Sequence, residues 1–294
     1  MRAAVVNEFG GPEVVEVVET QVPEPAARQV RIKVAAAALN PVDALVRQGV
    51  FGGAGTQLGL GWDVAGTVDA VGVASAWGVG DEVVALDYGS VAPLGTHAEY
   101  VVVDTDAVAR APKGVDAVAA ATVPLNALTA VQALDLLGVE PGQSLLVTGA
   151  AGAVGGFAVQ LAAHRGIAVT ALARQGDEEL VRALGAAEFV AEGRSGFDAV
   201  LDAAVLGETA LEWVRDGGAY VGVIPQAAPA AVRGVRVTAV EVSADGGQLG
   251  ELVRLVEAGV LTLRVAEAFA LEDAAKAHAR LAEGGVRGRL VLVP

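Results

Sequence analysis

Two hydrophobic rhythms divide this chain. Through the first third, apolar and polar positions alternate with a period of two, the pattern of half-buried strands. Residues 2–7 and 13–18 read as strands about a turn at Gly10, Gly11 and Pro12. In residues 29–36, Arg31 and Lys33 alternate with Val30, Ile32 and Val34. Residues 63–71, 82–86 and 97–103 give further strands bounded by glycines. One short helix over residues 40–48 interrupts them, opened by Pro41, whose missing N–H is no loss at a first helical position. Short strands joined by turns predict a barrel-like domain.

The rhythm changes at residue 116. Residues 116–137 are apolar and Ala-rich with helical spacing, and from Ser144 strand and helix alternate. Strands are expected near residues 145–147, 167–172, 188–191, 197–203, 219–223 and 236–242. Helices are expected near 157–166, 177–184, 207–215 and 247–258. Such alternation predicts an α/β fold built on a doubly wound parallel sheet. The tail, residues 261–294, reads strand, helix, strand, and either extends that sheet or returns to the first domain. No internal repeat or low-complexity linker separates the parts.

The stretch SLLVTGAAGAVGGFAVQ, residues 144–160, reads as a buried strand, a glycine turn and a helix start. A helix N-terminus carries unpaired N–H groups and the positive end of the dipole. A diphosphate can sit there only where no side chain blocks the backbone. Gly149 would form the turn, Gly152 would allow the approach, and Gly155 would let the helix lie near the strand. Ala153 and Val154 would be the first helical residues of the cradle. The spacing GxxGxxG differs from the common GxGxxG by its Ala151. With 38 glycines in 294 residues the bare pattern is weak, and its place between strand and helix strengthens it. A plain strand–turn–helix is the competing reading.

The end of the second strand distinguishes the two nicotinamide dinucleotides. Here it ends in Arg174, 19 residues after Gly155, with no Asp or Glu before it in the strand. Arginine suits a 2′-phosphate through paired charge-assisted bonds, so NADPH is the expected cofactor. The alternative is a solvated arginine. Asp177 and Glu178 suit the first turn of the next helix.

Composition narrows the classes further. Hydrophobic residues make up 53% of the chain, enough for a sizeable core. The longest apolar run, residues 117–139, is interrupted by Pro124, Asn126 and Asp135, so no membrane span is expected. Arg2, Glu8, Glu13 and Glu16 break any signal-peptide core, and a cytoplasmic protein is expected. The net charge of −15 comes without clustered Lys or Arg, so no nucleic-acid partner is expected. The chain has no cysteine, which excludes disulfides, thiol nucleophiles and cysteine-based zinc sites. The histidines are His97, His164 and His278, far apart in sequence, and the last two are expected at the surface of helices.

Taken in order, AAALNPVDALVRQG, GWDVAGTVDAVG, VGDEVVAL, GTHAEYVVV, TVPLNALTA, VTGAAGAVGGFAVQLA, FDAVLDA and GVRGRLVLV resemble one family. It is the zinc-independent, zeta-crystallin-like quinone oxidoreductase branch of the medium-chain dehydrogenase/reductase superfamily. The resemblance implies a GroES-like β-barrel domain over residues 1–120, completed by 259–294, and a Rossmann domain over 121–258. The cofactor would lie in the cleft between them. Zinc-dependent relatives hold their catalytic metal with Cys, His and Cys, whereas this chain carries Asn40, Trp62 and Leu125 at the matching places. These three make no usable zinc site. The stretch between Val103 and Thr122 is too short for the lobe that carries structural zinc.

The resemblance also implies the site. Asn40 and Asp43, in NPVD, would face the nicotinamide as candidate catalytic residues, with Asn40 also touching the cofactor. The competing reading is that they cap the helix at Pro41. Thr129 would lie near the nicotinamide, or is an ordinary helix threonine. Val223 and Ile224 would line the nicotinamide face, or are core strand residues. Arg289 would lie near the cofactor, or is an ordinary strand arginine. Phe51, Trp62 and Asp63 are candidate substrate contacts. Core packing competes for the aromatics and a structural hydrogen bond for Asp63. His97 stands where many relatives carry an aromatic, which argues against a proton relay.

The implied function is hydride transfer from NADPH to a small-molecule quinone or other conjugated carbonyl. One rival is a dedicated enone or enoyl reductase in a biosynthetic pathway. The other is an NADPH-binding sensor or structural protein without turnover. The resemblance further implies a homodimer, joined through the sheet edge near residues 236–242.

Overall fold

The computed structural model describes residues 1–89 and 91–294. The chain divides into two compact units. One comprises Met1–Leu125, Ser243–Glu257 and Leu263–Pro294, and the other Asn126–Val242 and Ala258–Thr262.

The first unit begins with β1 (Arg2–Val6) and β2 (Glu16–Glu19), an antiparallel pair. Next come β3 (Gln29–Leu39), α1 (Pro41–Arg47), β4 (Leu58–Gly59) and β5 (Asp63–Val71). β6 (Glu82–Leu86), β7 (Tyr100–Asp104), β8 (Val108–Arg110) and α2 (Ala117–Ala120) follow. The 11-residue β3 is the hub. Val30, Ile32 and Val34 point inward while Arg31 and Lys33 do not, as the alternation requires. From Ala36 onward β3 is buried on both faces. β5 and β7 both pair with it antiparallel. Val30, Ile32, Val64, Val68, Val83, Val101 and Val103 form the core between these strands.

The second unit contains α3 (Pro124–Leu137), β9 (Ser144–Thr148), α4 (Ala153–His164), β10 (Ala168–Leu172) and α5 (Glu178–Ala183). It continues through β11 (Glu188–Val190), β12 (Phe197–Asp202), α6 (Glu208–Leu211), β13 (Val214–Gly222) and β14 (Arg236–Ala239). The six strands are all parallel in the order β11-β10-β9-β12-β13-β14, a doubly wound Rossmann sheet. Leu145, Leu146 and Val147 are fully buried, as a central parallel strand covered on both faces demands.

The chain then returns to the first unit with α7 (Gly246–Glu257), β15 (Val265–Ala270), α8 (Ala274–Ala282) and β16 (Arg289–Val293). Leu249, Leu252, Val253 and Val256 form one apolar stripe on α7, which packs on β8. β16 pairs antiparallel with the end of β3, so the tail joins the first unit and not the parallel sheet.

Several expectations need correction. Pro12–Val14 forms a 3-10 turn, so β2 starts at Glu16 rather than Glu13. The helix expected over 207–215 ends at Leu211, because Val214 already pairs with Phe197. α7, read with the sheet domain in sequence, belongs by contacts to the first unit. Ala117–Leu137 is long and apolar enough to cross a membrane, yet most of it is buried inside the protein, as in a core helix. His164 is exposed as expected, but His278 is buried at 1% exposure.

His278 lies on α8, its ring 6.4 Å from that of His97, and neither ring nitrogen has a partner among the described residues. Burial, aided by His97 and Arg47, pushes it down to about 3. The unfolded chain protonates this histidine near its ordinary value while the folded chain does not. Stability therefore falls as pH drops from about 6.5 toward 3. His278→Leu should remove that share of the acid sensitivity. Urea unfolding at pH 7 and pH 4 should show the wild type losing roughly 3 kcal/mol more than the variant.

Candidate functional site

The carboxyl ends of the parallel strands form one row in the second unit. Leu172, Thr148, Asp202 and Gly222 are register partners on β10, β9, β12 and β13. The strand order reverses at β9, and the crevice beyond the strand ends at such a point is where α/β sheets take their ligands. Gly149 leaves β9 here with φ +57°, a left-handed conformation that favours glycine. Gly152 caps α4. A Cβ on Gly155 would stand 2.3 Å from the Gly149 carbonyl oxygen, so only glycine lets α4 start this close to the turn. Ala153, Val154 and Gly155 are the first residues of α4, where no helical carbonyl lies behind their N–H groups. A helix start of this kind leaves N–H groups open to an anion along a clear backbone approach.

A polar network absent from the sequence reading holds the turn in place. Thr148 Oγ1 donates to Asp202 Oδ1 at 2.6 Å and accepts from the Ala204 N–H at 3.0 Å. Asp202 Oδ2 accepts from the Gly207 N–H and from the Tyr220 hydroxyl, each at 2.8 Å. Asp202 and Thr148 are fully buried, so these bonds replace the water both groups lost. Burial and the Asp202 carboxylate raise the Tyr220 pKa, keeping its hydroxyl a donor. The signal was present in FDAVLDA, whose second Asp ends an apolar strand.

Arg174 follows β10, is exposed, and enters no ion pair among the described residues. Val223 and Ile224 lie just past the end of β13, half-buried. Thr129 is buried on α3, away from the strand-end row in sequence and element.

The first unit holds a second cluster. Asn40, Asp43 and Asp63 are fully buried. Asp43 Oδ2 accepts from the Asn40 N–H at 2.7 Å and Oδ1 from the Gly61 N–H at 2.9 Å, tying the start of α1 to the approach of β5. Asn40 Nδ2 donates to Asp63 Oδ2 at 2.6 Å, and the Leu125 N–H donates to Asp63 Oδ1 at 2.6 Å. Arg289 Nη1 donates to Asn40 Oδ1 at 3.3 Å. Burial, with Asp43 nearby, pushes Asp63 up to about 7 despite its two donors. Burial raises Asp43 as well and lowers Arg289 to about 10.

The cluster thus gathers Asn40, Asp43, Asp63 and Arg289. Asp43 bonds in the manner of a cap on α1, and the oxygens of both carboxylates are engaged by protein donors. Trp62 precedes Asp63 and meets Tyr88 edge-on at 5.1 Å. Phe51 packs against the core of Leu39, Leu58 and Leu290 and stands outside the network. His97 is buried, its Nε2 3.1 Å from the Ala38 carbonyl.

Comparison with known proteins decides the family. A model of the alcohol dehydrogenase GroES-like domain matches residues 26–113, and one of zinc-binding dehydrogenases matches residues 175–292. An NADPH-dependent alkenal/one oxidoreductase of Arabidopsis thaliana is 34% identical, covering 100% of this chain and 80% of the relative. The chain belongs to the quinone-oxidoreductase-like branch of the medium-chain dehydrogenase/reductase superfamily. A 2-methylene-furan-3-one reductase of Solanum lycopersicum is 32% identical over 100% of this chain and 79% of its own length. The solved quinone oxidoreductase of Coxiella burnetii superposes with a TM-score of 0.88 at 28% identity, covering 100% of this chain and 99% of that one.

Asn40 Nδ2 and the Leu125 N–H both bond to Asp63. Among the described residues no three His, Cys, Asp or Glu side chains come together in a metal-holding group.

The glycine cradle yields a stability test. Gly155→Ala should destabilise the protein by about 2 kcal/mol, because its methyl meets rigid backbone. Gly176→Ala, where nothing lies within 4 Å, should change urea stability by less than about 0.5 kcal/mol.

Proposed function

We propose that this protein uses NADPH to reduce a conjugated carbonyl, a quinone or an enone, without a metal ion. The observation that carries the cofactor reading is Arg174, which has no ion-pair partner among the described residues and follows a strand on the same sheet edge as the glycine turn. The cofactor supplies a hydride from its nicotinamide ring when bound. Ala153, Val154 and Gly155 would hold its diphosphate through backbone N–H groups, Gly152, whose own N–H bonds to the Gly149 carbonyl at 2.8 Å, would leave the approach clear, and Arg174 would pair with the 2′-phosphate. Val223, Ile224 and Thr129 serve the nicotinamide end. In the first unit the candidate donor toward the acceptor's carbonyl oxygen is Asn40, whose Nδ2 would have to exchange its present acceptors, Asp63 and the Ala38 carbonyl, for that oxygen. Arg289 and Asp43 hold Asn40, and Trp62 offers an apolar wall. The metal-free reading is supported by the absence of cysteine and by Asn40, Trp62 and Leu125 at the ligand places. β14, an edge strand, is the proposed surface of a homodimer.

A second reading narrows the acceptor to enones. It is favoured by the alkenal/one oxidoreductase and the furanone reductase among the relatives. NADPH oxidation against a panel of quinones and enones, with products identified by mass, separates the two. Saturated ketones with quinones left untouched support the enone reading, whereas hydroquinones support the broader one. No turnover with any acceptor would overturn both.

Arg174→Ala should weaken NADPH binding by roughly 10- to 100-fold and leave NADH within about twofold, since one charge-assisted contact is worth about 1.5–3 kcal/mol. Fluorescence titration of both nucleotides checks this. Equal losses would sink the assignment.

A further inference from the structure

His97 and His278 form a buried pair in the first unit that has no part in the reaction proposed above. We propose that an ordered water molecule sits between the two imidazoles and bridges His97 Nδ1 to a ring nitrogen of His278, an internal site that pins α8 to the approach of β7.

The hydrogen-bonding demand of the two rings points to an occupant. Both residues are only 1% exposed, so neither ring reaches bulk solvent. His97 Nε2 lies 3.1 Å from the Ala38 carbonyl, so Nε2 carries the proton of the neutral ring and Nδ1 its lone pair. That Nδ1 has no partner among the described residues, and neither nitrogen of His278 has one. Burial pushes His278 down to about 3, which leaves its ring neutral at pH 7, with one nitrogen to donate and one to accept. Buried polar groups in folded proteins pair with protein or with ordered water almost without exception.

The spacing of the rings fits one water. Their centroids are 6.4 Å apart. A direct N–H···N bond would bring them to about 5 Å, the bond plus about 1.1 Å from each nitrogen to its centroid. A tetrahedral metal ion held by both rings would also bring them to about 5 Å, since its bonds to nitrogen are about 2 Å. A water about 2.8 Å from each nitrogen, with its bonds at the tetrahedral angle, sets the centroids about 6.4 Å apart. The occupant must give a hydrogen bond to His97 Nδ1 and can accept one from His278, and water does both. A cation is disfavoured further by the Arg47 guanidinium, which acts on His278 from α1. No third His, Cys, Asp or Glu among the described residues joins the rings in a metal-holding group.

His97 is a fixed anchor for such a bridge. Its carbonyl accepts from the Ala4 N–H at 2.7 Å, and its N–H donates to the Leu60 carbonyl at 2.9 Å. α8 otherwise meets this wall through the methyl groups of Ala274 and Ala277, which make no directional bond. The water gives the helix one.

A high-resolution crystal structure of the full chain at pH 7 tests the site. The expected result is one density peak about 2.8 Å from both His97 Nδ1 and a nitrogen of His278, lost in His278→Phe. No peak between the wild-type rings overturns the proposal, as does a peak about 2 Å from a nitrogen, which is a metal ion. A second measurement needs no crystal. The chain has three histidines, and His164 is exposed, so selective labelling resolves the three rings by NMR. Ring protons of His97 and His278 should both show an NOE to water with the sign of a long-lived bound molecule, and His278→Phe should abolish it at His97. Wild-type rings without that NOE overturn the proposal even if the variant does not fold.

Discussion

The second unit depends on one close approach, that of Gly155 to the carbonyl of Gly149. No other residue type permits it, and the other features of the edge are consequences. With α4 starting at the very end of β9, its first N–H groups open onto the row of strand termini. The same row brings up Arg174 from β10 and Val223 from β13. The turn is kept from relaxing by Thr148 and Asp202, whose buried bonds link β9, β12 and β13 directly behind it. A helix start with open N–H groups thus arises from packing and is stiffened by buried polar groups.

The first unit solves a different problem with the same kind of group. Its buried carboxylates, Asp43 and Asp63, are not arranged as an acid–base pair, since each is occupied by donors from the protein. Asp43 joins α1 to the backbone at Gly61, and Asp63 joins Asn40 to Leu125. Arg289 supplies the compensating charge from the last strand. A buried charge is tolerable only when paired and hydrogen-bonded, so these residues form a unit in which each member needs the others.

Much of this was legible in the sequence. The doubly wound sheet follows from the alternation after Ser144, and the glycine turn from its place between strand and helix. Arg174 could be found by counting from Gly155. The NPVD helix was legible too, with its capping reading visible in Asn40 and Pro41. What could not be read depends on contacts between distant segments. Nothing local in KAHARL marks His278 as buried, because its surroundings come from His97 and Arg47, far away in the chain. α7 carries a clean amphipathic stripe, but the stripe does not say which unit it faces. Asp202 and Tyr220 meet only because β12 and β13 are neighbours.

The return of the tail to β3 has a consequence for how the chain is made. The end of β3 pairs with Leu290, Val291 and Leu292, whereas most of the parallel sheet closes within one continuous stretch of sequence. During synthesis the sheet unit can therefore complete its pairings first. The barrel unit, although begun earlier, must keep an apolar strand end waiting until the last strand appears. Long-range pairing of this kind is slow and leaves sticky surface exposed meanwhile.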